Sequence, residues 1–477
     1  MSGQKIKTDI CVIGGGSGGL SVAAGAVQMG APTVLIEGGK MGGDCLNSGC
    51  VPSKALIAAA KHAAAMDGVA KFGLTATRSH VDYAAVMEHV RDVIEGIAPH
   101  DSVERFEQMG VQVIQGYGRF ISPNQVAVGD VVVEARRFVI ATGSSPSAPP
   151  IPGLQECGYL TNETLFENRE KPDHLVVIGG GPIGMEMAQA HVRLGCKVTV
   201  LEAFSVLAKD DPELTEVALA ALEAEGVDVR AGVKISTVAR QENGTVMVEL
   251  NNNGETEIIE ASHLLVAAGR KPNMDRLDLD AALIKYTKGG IEVDVRLRTS
   301  NRKVYAIGDV SGGYQFTHMA GYQAGVVIRN LLFRLPAKVD YSAVPWVTYT
   351  DPEIANVGMS EKIARSEFGD TIRVLTFPYA ENDRARAERK TDGMVKAITT
   401  NSGKILGAGI VGAQAGELIQ PWALAISGNL KVSAMASYIA PYPTLGEINK
   451  RAAGSFYTPK LFSEKTRKIV RFLARFG

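Results

Sequence analysis

The sequence predicts an α/β fold in which one strand–glycine loop–helix–strand unit occurs twice and a third, C-terminal α/β domain follows. Three observations predict it. Residues 9–37 (DICVIGGGSGGLSVAAGAVQMGAPTVLIE) and 174–202 (HLVVIGGGPIGMEMAQAHVRLGCKVTVLE) share one layout, with Gly14 and Gly179, Gly30 and Gly195, and Glu37 and Glu202 each 165 positions apart. Glycine is enriched, with 52 among 477 residues, and is gathered in such loops, against a usual ~7%. From residue 346 onward, charge-rich alternating segments read as a separate α/β layer.

Each element of the repeat has a physical reason. A β-branched apolar run makes a strand buried on both faces. The following G-x-G-x-x-G opens a helix, and the second strand ends in Glu, the order of a dinucleotide-binding (Rossmann-like) unit. Gly14 and Gly179 permit the tight turn, Gly16 and Gly181 admit a pyrophosphate to the backbone, and Gly19 and Gly184 let helix and strand approach. The helix N-terminus offers N–H groups and the positive dipole end to phosphate. Glu37 and Glu202 can accept hydrogen bonds from an adenosine ribose. Two such units imply two dinucleotides, FAD and a nicotinamide. A carboxylate at Glu202 repels a 2′-phosphate, which favours NAD(H) over NADP(H).

Composition narrows the remaining classes. Fifty basic against 51 acidic residues give a net charge of -1, which argues against a nucleic-acid partner. Five cysteines in a chain of this length do not make a disulfide scaffold, and no CxxC pairing points to a structural metal. No stretch reaches the ~18 apolar residues of a membrane span. With no signal peptide before the first strand, the expected location is the cytoplasm.

Residues 42–54, GGDCLNSGCVPSK, place Cys45 and Cys50 five positions apart, with Gly43 before them and Lys54 after them. Small residues let backbone approach a flavin, and a lysine can hold a thiolate. This segment resembles the redox motif of class I pyridine nucleotide–disulfide oxidoreductases, the family of dihydrolipoamide dehydrogenase, glutathione reductase and mercuric reductase. The resemblance spans about residues 5–460. ATGSSP (141–146, with Thr142 and Gly143) and AAGRKPN (267–273, with Gly269) resemble the family's crossings between FAD and NAD domains. VYAIGD (304–309) places Asp309 where the family contacts the ribityl–pyrophosphate part of FAD. The resemblance implies that Cys45 is the interchange thiol, that Cys50 forms the charge-transfer thiolate, and that Lys54 and Glu186 pair beside the flavin. It also implies a relay in which NADH reduces flavin, flavin opens a Cys45–Cys50 disulfide, and the dithiol reduces an acceptor. His318, in FTHMAGYQA, is read as lining or packing against the flavin pocket.

One position departs from the family. Disulfide-reducing members carry a C-terminal His-Pro-T-x-x-Glu, in which His is the acid–base and Glu orients it. Here APYPTLGE (440–447) keeps Pro443, Thr444 and Glu447 but has Tyr442, and no histidine follows His318. Tyrosine, with a pKa of about 10, is a poor base near neutral pH, and losing a general base costs ~10²–10⁴-fold. Slow dihydrolipoamide oxidation is therefore expected. Mercuric reductases resemble this chain in having Tyr there, but their C-terminal cysteine pair has no counterpart, since the last cysteine is Cys196.

The resemblance implies FAD-binding segments at 1–150 and 277–345, a NAD(P)-binding domain at 151–276 and a dimerisation domain at 346–460. A homodimer would bring Tyr442 and Glu447 to the cysteine pair of the other subunit. Residues 60–100 read as long helices, and DRARAERK (383–390) as a solvated, salt-bridged segment. Residues 461–477 form a basic amphipathic helix: Ile469, Phe472, Leu473 and Phe476 share a stripe, and Lys465, Arg467, Lys468, Arg471 and Arg475 a basic face. That helix fits either subunit packing or peripheral membrane contact. The leading expectation is an FAD-dependent NAD(H):disulfide/dithiol oxidoreductase acting on a small-molecule or protein-bound acceptor. The alternatives are a metal-ion or quinone reductase and a membrane-docked electron-relay subunit.

Overall fold

The computed structural model describes residues 4–75, 80–252 and 255–476, so the final Gly477 of the C-terminal helix lies outside them. The chain forms two compact units, one of residues 1–180, 190–203 and 232–339, the other of 181–189, 204–231 and 340–477.

The first unit is built on the strand Lys5–Ile13, an unbroken apolar run at its C-terminal end. It pairs in parallel with Thr33–Glu37 on one side and Val131–Ile140 on the other. Gln112–Gln115 extends the sheet beyond Thr33–Glu37, and Val304–Ala306 pairs in parallel with Val131–Ile140. The period-2 alternation of a strand sends neighbours to opposite faces. Cys11 and Ile13 join Val34, Ile36, Phe120 and Phe138 on one face. Ile10 and Val12 join Leu35, Tyr305 and Val326 on the other. Both faces are dry, which is why the strand reads as continuously apolar. A second parallel sheet sets Lys197–Glu202 and His263–Val266 beside His174–Ile178. An antiparallel meander, Ile235–Arg240, Val246–Asn252 and Glu255–Ala261, lies between them in sequence. The segment read as long helices forms Cys50–Gly68 and Tyr83–Ile97; Asp82 caps the latter by accepting from the Ala85 N–H.

The second unit holds a five-stranded antiparallel sheet ordered Pro345–Thr348, Glu353–Gly358, Ile405–Gly412, Met394–Thr400 and Ile372–Pro378. Its core centres on the fully buried Trp422 and Tyr379. Each satisfies its polar tip: Trp422 Nε1 donates to Asn449 Oδ1 at 2.8 Å, and the Tyr379 hydroxyl to the Ala413 carbonyl at 3.0 Å. The DRARAERK run contains the short helix Asp383–Ala387, with an Arg384–Glu388 ion pair at 2.5 Å.

Candidate active site around two cysteines

The two glycine loops stand where the repeat predicts. In the first, the strand ends at Ile13 and the helix Ser17–Gln28 begins after Gly16. Gly14 has φ +110°, and a Cβ there would run into the Ala141 carbonyl. A side chain at Gly19 would strike the Gly14 carbonyl, while the nearest atom to a Cβ on Gly16 is 3.8 Å away. The loop is therefore tight behind and open in front, a shape that fits a pyrophosphate at a helix N-terminus. Glu37 accepts the Gly15 N–H, and its other oxygen takes the Gly39 N–H at 2.5 Å. Both oxygens are oriented by backbone donors and keep lone pairs for ribose hydroxyls. Glu202 repeats this, accepting the Gly180 N–H at 2.7 Å. The second loop turns at Gly179, and Pro182–Arg193 follows Gly181 with the buried Gly184 in its first turn.

The sequence-distant segments 141–146 and 267–273 meet directly. Ser144–Pro146 pairs antiparallel with Arg270–Pro272. Thr142 Oγ1 donates to the Asn273 carbonyl at 2.8 Å, Asn273 Nδ2 donates to the Thr142 carbonyl at 3.0 Å, and the Asn273 N–H donates to the Gly143 carbonyl at 3.0 Å. Gly143 and Gly269 both have positive φ. Asp309, in the turn Gly308–Ser311, accepts from Ser144 Oγ at 2.6 Å. Burial raises its carboxyl above the ordinary carboxylate range, opposed by Ser144 and Arg270.

Cys45 lies in the short helix Gly43–Asn47 and Cys50 begins Cys50–Gly68. Both are thiols whose side chains hydrogen-bond to each other. Cys50 Sγ is also 3.3 Å from Thr317 Oγ1. The Cys45 thiol donating to Cys50 holds Cys50 down to about 6; Thr317 and the Lys54 ammonium help, while burial and Asp44 oppose. Cys45 moves the opposite way, because it is the donor of that bond and is desolvated. One proton thus sits on Cys45 and a thiolate on Cys50, and a thiolate is the nucleophile of sulfur chemistry. The other three cysteines are buried, and burial pushes their thiols up, Cys196 to about 11.

Four residues around the pair, Asp44, Asn162, Arg270 and Thr317, escaped sequence reasoning. Asp44 is ion-paired to Arg270 at 3.1 Å and accepts from Asn162 Nδ2 at 2.9 Å and from Ser48 Oγ at 3.0 Å. Arg270 Nε also donates to Ser144 Oγ at 2.8 Å. Asp44, Arg270, Ser144 and Asp309 form one polar chain behind the cysteine loop. Asn162 and Arg270 come from segments more than 100 residues away, so no local spacing could have announced them. Thr317 was legible only as the neighbour of His318; it is Thr317 that meets Cys50, whereas His318 stacks on Phe316 with ring centroids 5.2 Å apart.

The remaining candidates are placed as follows. Lys54 is half-buried and donates from Nζ to Ser53 Oγ at 3.3 Å. Glu186 is buried on Pro182–Arg193 and accepts the Tyr349 N–H at 2.9 Å. Their pairing remains an expectation from the resemblance. Tyr442 is 70% exposed. Its hydroxyl donates to Asp383 Oδ2 at 3.2 Å, and that carboxylate pushes the phenol above its ordinary range. Glu447 opens the helix Glu447–Gly454.

Comparison with known proteins gives a family match, two relatives and a solved structure. The family profile described as pyridine nucleotide-disulphide oxidoreductase matches residues 8–324, and that family's dimerisation domain matches 344–453. The chain is 37% identical over 455 residues to a mercuric reductase of Bacillus cereus, covering 94% of this chain and 71% of the relative. It is 37% identical over 457 residues to a dihydrolipoyl dehydrogenase of Geobacillus stearothermophilus, covering 94% and 96%. A solved Cu(II) complex of the HOCl-induced flavoprotein disulfide reductase RclA from Escherichia coli superposes with a TM-score of 0.85 at 28% identity, covering 94% of this chain and 99% of that one.

Proposed function

Because the chain belongs to the pyridine nucleotide-disulphide oxidoreductase family and is a flavoprotein oxidoreductase, we propose that it moves two electrons between NADH and a disulfide or dithiol through Cys45 and Cys50. The observation that carries this reading is the hydrogen-bonded thiol pair with Cys50 held near 6. FAD supplies the two-electron carrier between nicotinamide and sulfur when bound. The first glycine loop, Glu37, the Gly43 turn, Thr142, Gly143 and Asp309 would hold it. The second loop, with Gly179, Gly181, Gly184 and Glu202, and the Gly269 turn would hold NAD(H).

The chain's own sulfur chemistry then balances. Two electrons and a proton open the Cys45–Cys50 disulfide to a Cys45 thiol and a Cys50 thiolate. Passing the proton from Cys45 to Cys50 makes Cys45 the nucleophile with no external base. It attacks an acceptor disulfide and releases a thiolate, which takes the proton from Cys50. Cys50 then attacks Cys45, restores the internal disulfide and releases the second acceptor thiolate, which is protonated by solvent.

A soft metal ion is the second reading, and Tyr442 favours it. An exposed phenol donating to Asp383 is a weak thiol base, but a metal held by two thiolates needs no base. The mercuric reductase relatives and the Cu(II) complex of RclA agree with this reading.

Anaerobic NADH titration of the holoenzyme tests the relay. A long-wavelength thiolate absorption after two electrons, absent in Cys50→Ser, is expected; flavin bleaching without that band would remove the cysteines from the path. Parallel assays with lipoamide, Hg(II) and Cu(II) then separate the two readings. Tyr442→His should raise lipoamide turnover ~10-fold or more if a thiol base is what is missing.

A further inference from the structure

The helix Glu464–Leu473 is solvent-exposed along its whole length, with no buried residue. It is a real helix with a defined start: Ser463 caps it by accepting the Thr466 N–H. Ile469, Val470, Phe472, Leu473 and Phe476 are all exposed, Phe476 by 74%. At ~100° per residue these fall on one arc. The Phe472 and Phe476 rings meet edge to face, 5.2 Å apart. Lys468 and Arg475 border one side of this arc and Arg467 the other, with Arg471 behind it. Residues 464–476 hold five Lys or Arg and one acidic residue, Glu464, a net +4, while the whole chain carries -1 and its remainder therefore -5.

We propose that this helix docks the enzyme on an anionic lipid surface. Apolar side chains would enter the headgroup boundary while the flanking arginine and lysine stems reach lipid phosphates, the arrangement of an interfacial helix. Charge decides between occupants. A second copy of this chain carries a net charge of only -1, whereas an anionic leaflet offers a dense counter-charge. The matched dimerisation domain ends at residue 453, so the helix lies beyond it in the sequence. No helix among the described residues is long and apolar enough to cross a membrane, so contact through this helix would be peripheral.

Co-sedimentation of the full-length holoenzyme with vesicles is the test. Phosphatidylcholine vesicles containing about 30% phosphatidylglycerol should bind it, and pure phosphatidylcholine should bind it at least ~10-fold less. Raising salt to ~0.5 M should release it. Phe472→Ser with Leu473→Ser should abolish binding and leave turnover in solution unchanged. Lys468→Gln should weaken binding about fivefold, with Arg471→Gln and Arg475→Gln each adding a similar factor. Vesicle binding that survives both sets would overturn the proposal. Absent binding of the unmodified enzyme would overturn it too, and dissociation of the serine variant in analytical ultracentrifugation would then assign the face to a second copy.

Discussion

At the scale of single residues, the cysteine pair is tuned by neighbours of opposite effect. Thr317 donates toward Cys50 and lowers its proton affinity, while the Asp44 carboxylate raises it. Thiolate absorption should therefore be full at neutral pH and fall as pH drops through about 6. Thr317→Ala should move that midpoint up, and Asp44→Asn should move it down, each by roughly half to one pH unit; a spectrophotometric pH titration of two-electron-reduced enzyme reads both. Midpoints that move together, or not at all, would show that these side chains serve the loop's shape rather than its charge. Glu202 admits a similar test. Glu202→Ala removes the carboxylate that would repel a 2′-phosphate, so kcat/KM for NADPH should rise relative to NADH by about 10-fold or more.

Among the elements, the strand Met394–Thr400 carries a buried charge that the sequence does not advertise. Lys396 is 3% exposed, and its ammonium meets Asp211 at 3.0 Å, Glu213 at 3.0 Å and Glu361 at 2.7 Å. Lys396→Met should cost about 3–5 kcal/mol, because it leaves carboxylates packed without a cation. Denaturant unfolding measures it. Burial works against ionising Glu361, but hydrogen bonds from Lys396 and Arg365 prevail and hold its carboxyl below the ordinary range. Its stabilisation is then full above ~4.3, the unfolded value, and is lost as pH falls through the lower folded one. The acid limb of a stability–pH curve should shallow in the Met variant. Elements with a local cause were legible in advance: the glycine loops, the Glu-terminated strands and the C-terminal amphipathic stripe all follow from spacing within one segment. The polar chain from Asp44 to Asp309 and the Lys396 cluster were not, because their partners are tens to hundreds of residues apart. DRARAERK shows the middle case. Its internal salt bridge was readable, but Asp383 accepting from Tyr442 was not.

For the whole molecule, the family was legible from short motifs, whereas the proposed acceptor turns on one side chain, Tyr442, that departs from the family pattern. The family's dimerisation domain covers residues 344–453. The interrupted path of the first unit has a consequence for biosynthesis. Val131–Ile140 pairs along one edge with the earlier strand Lys5–Ile13, but Phe138–Ile140 meet a neighbour on the other edge only when Val304–Ala306 has been made, 164 residues after Ile140. At ~5–20 residues per second that is roughly 8–33 s during which the apolar edge at Phe138–Ile140 has no native partner. The growing chain spends that interval open to mispairing, so its yield in the cell should depend on how fast ribosomes pass residues 141–306 and on which chaperones meet it there.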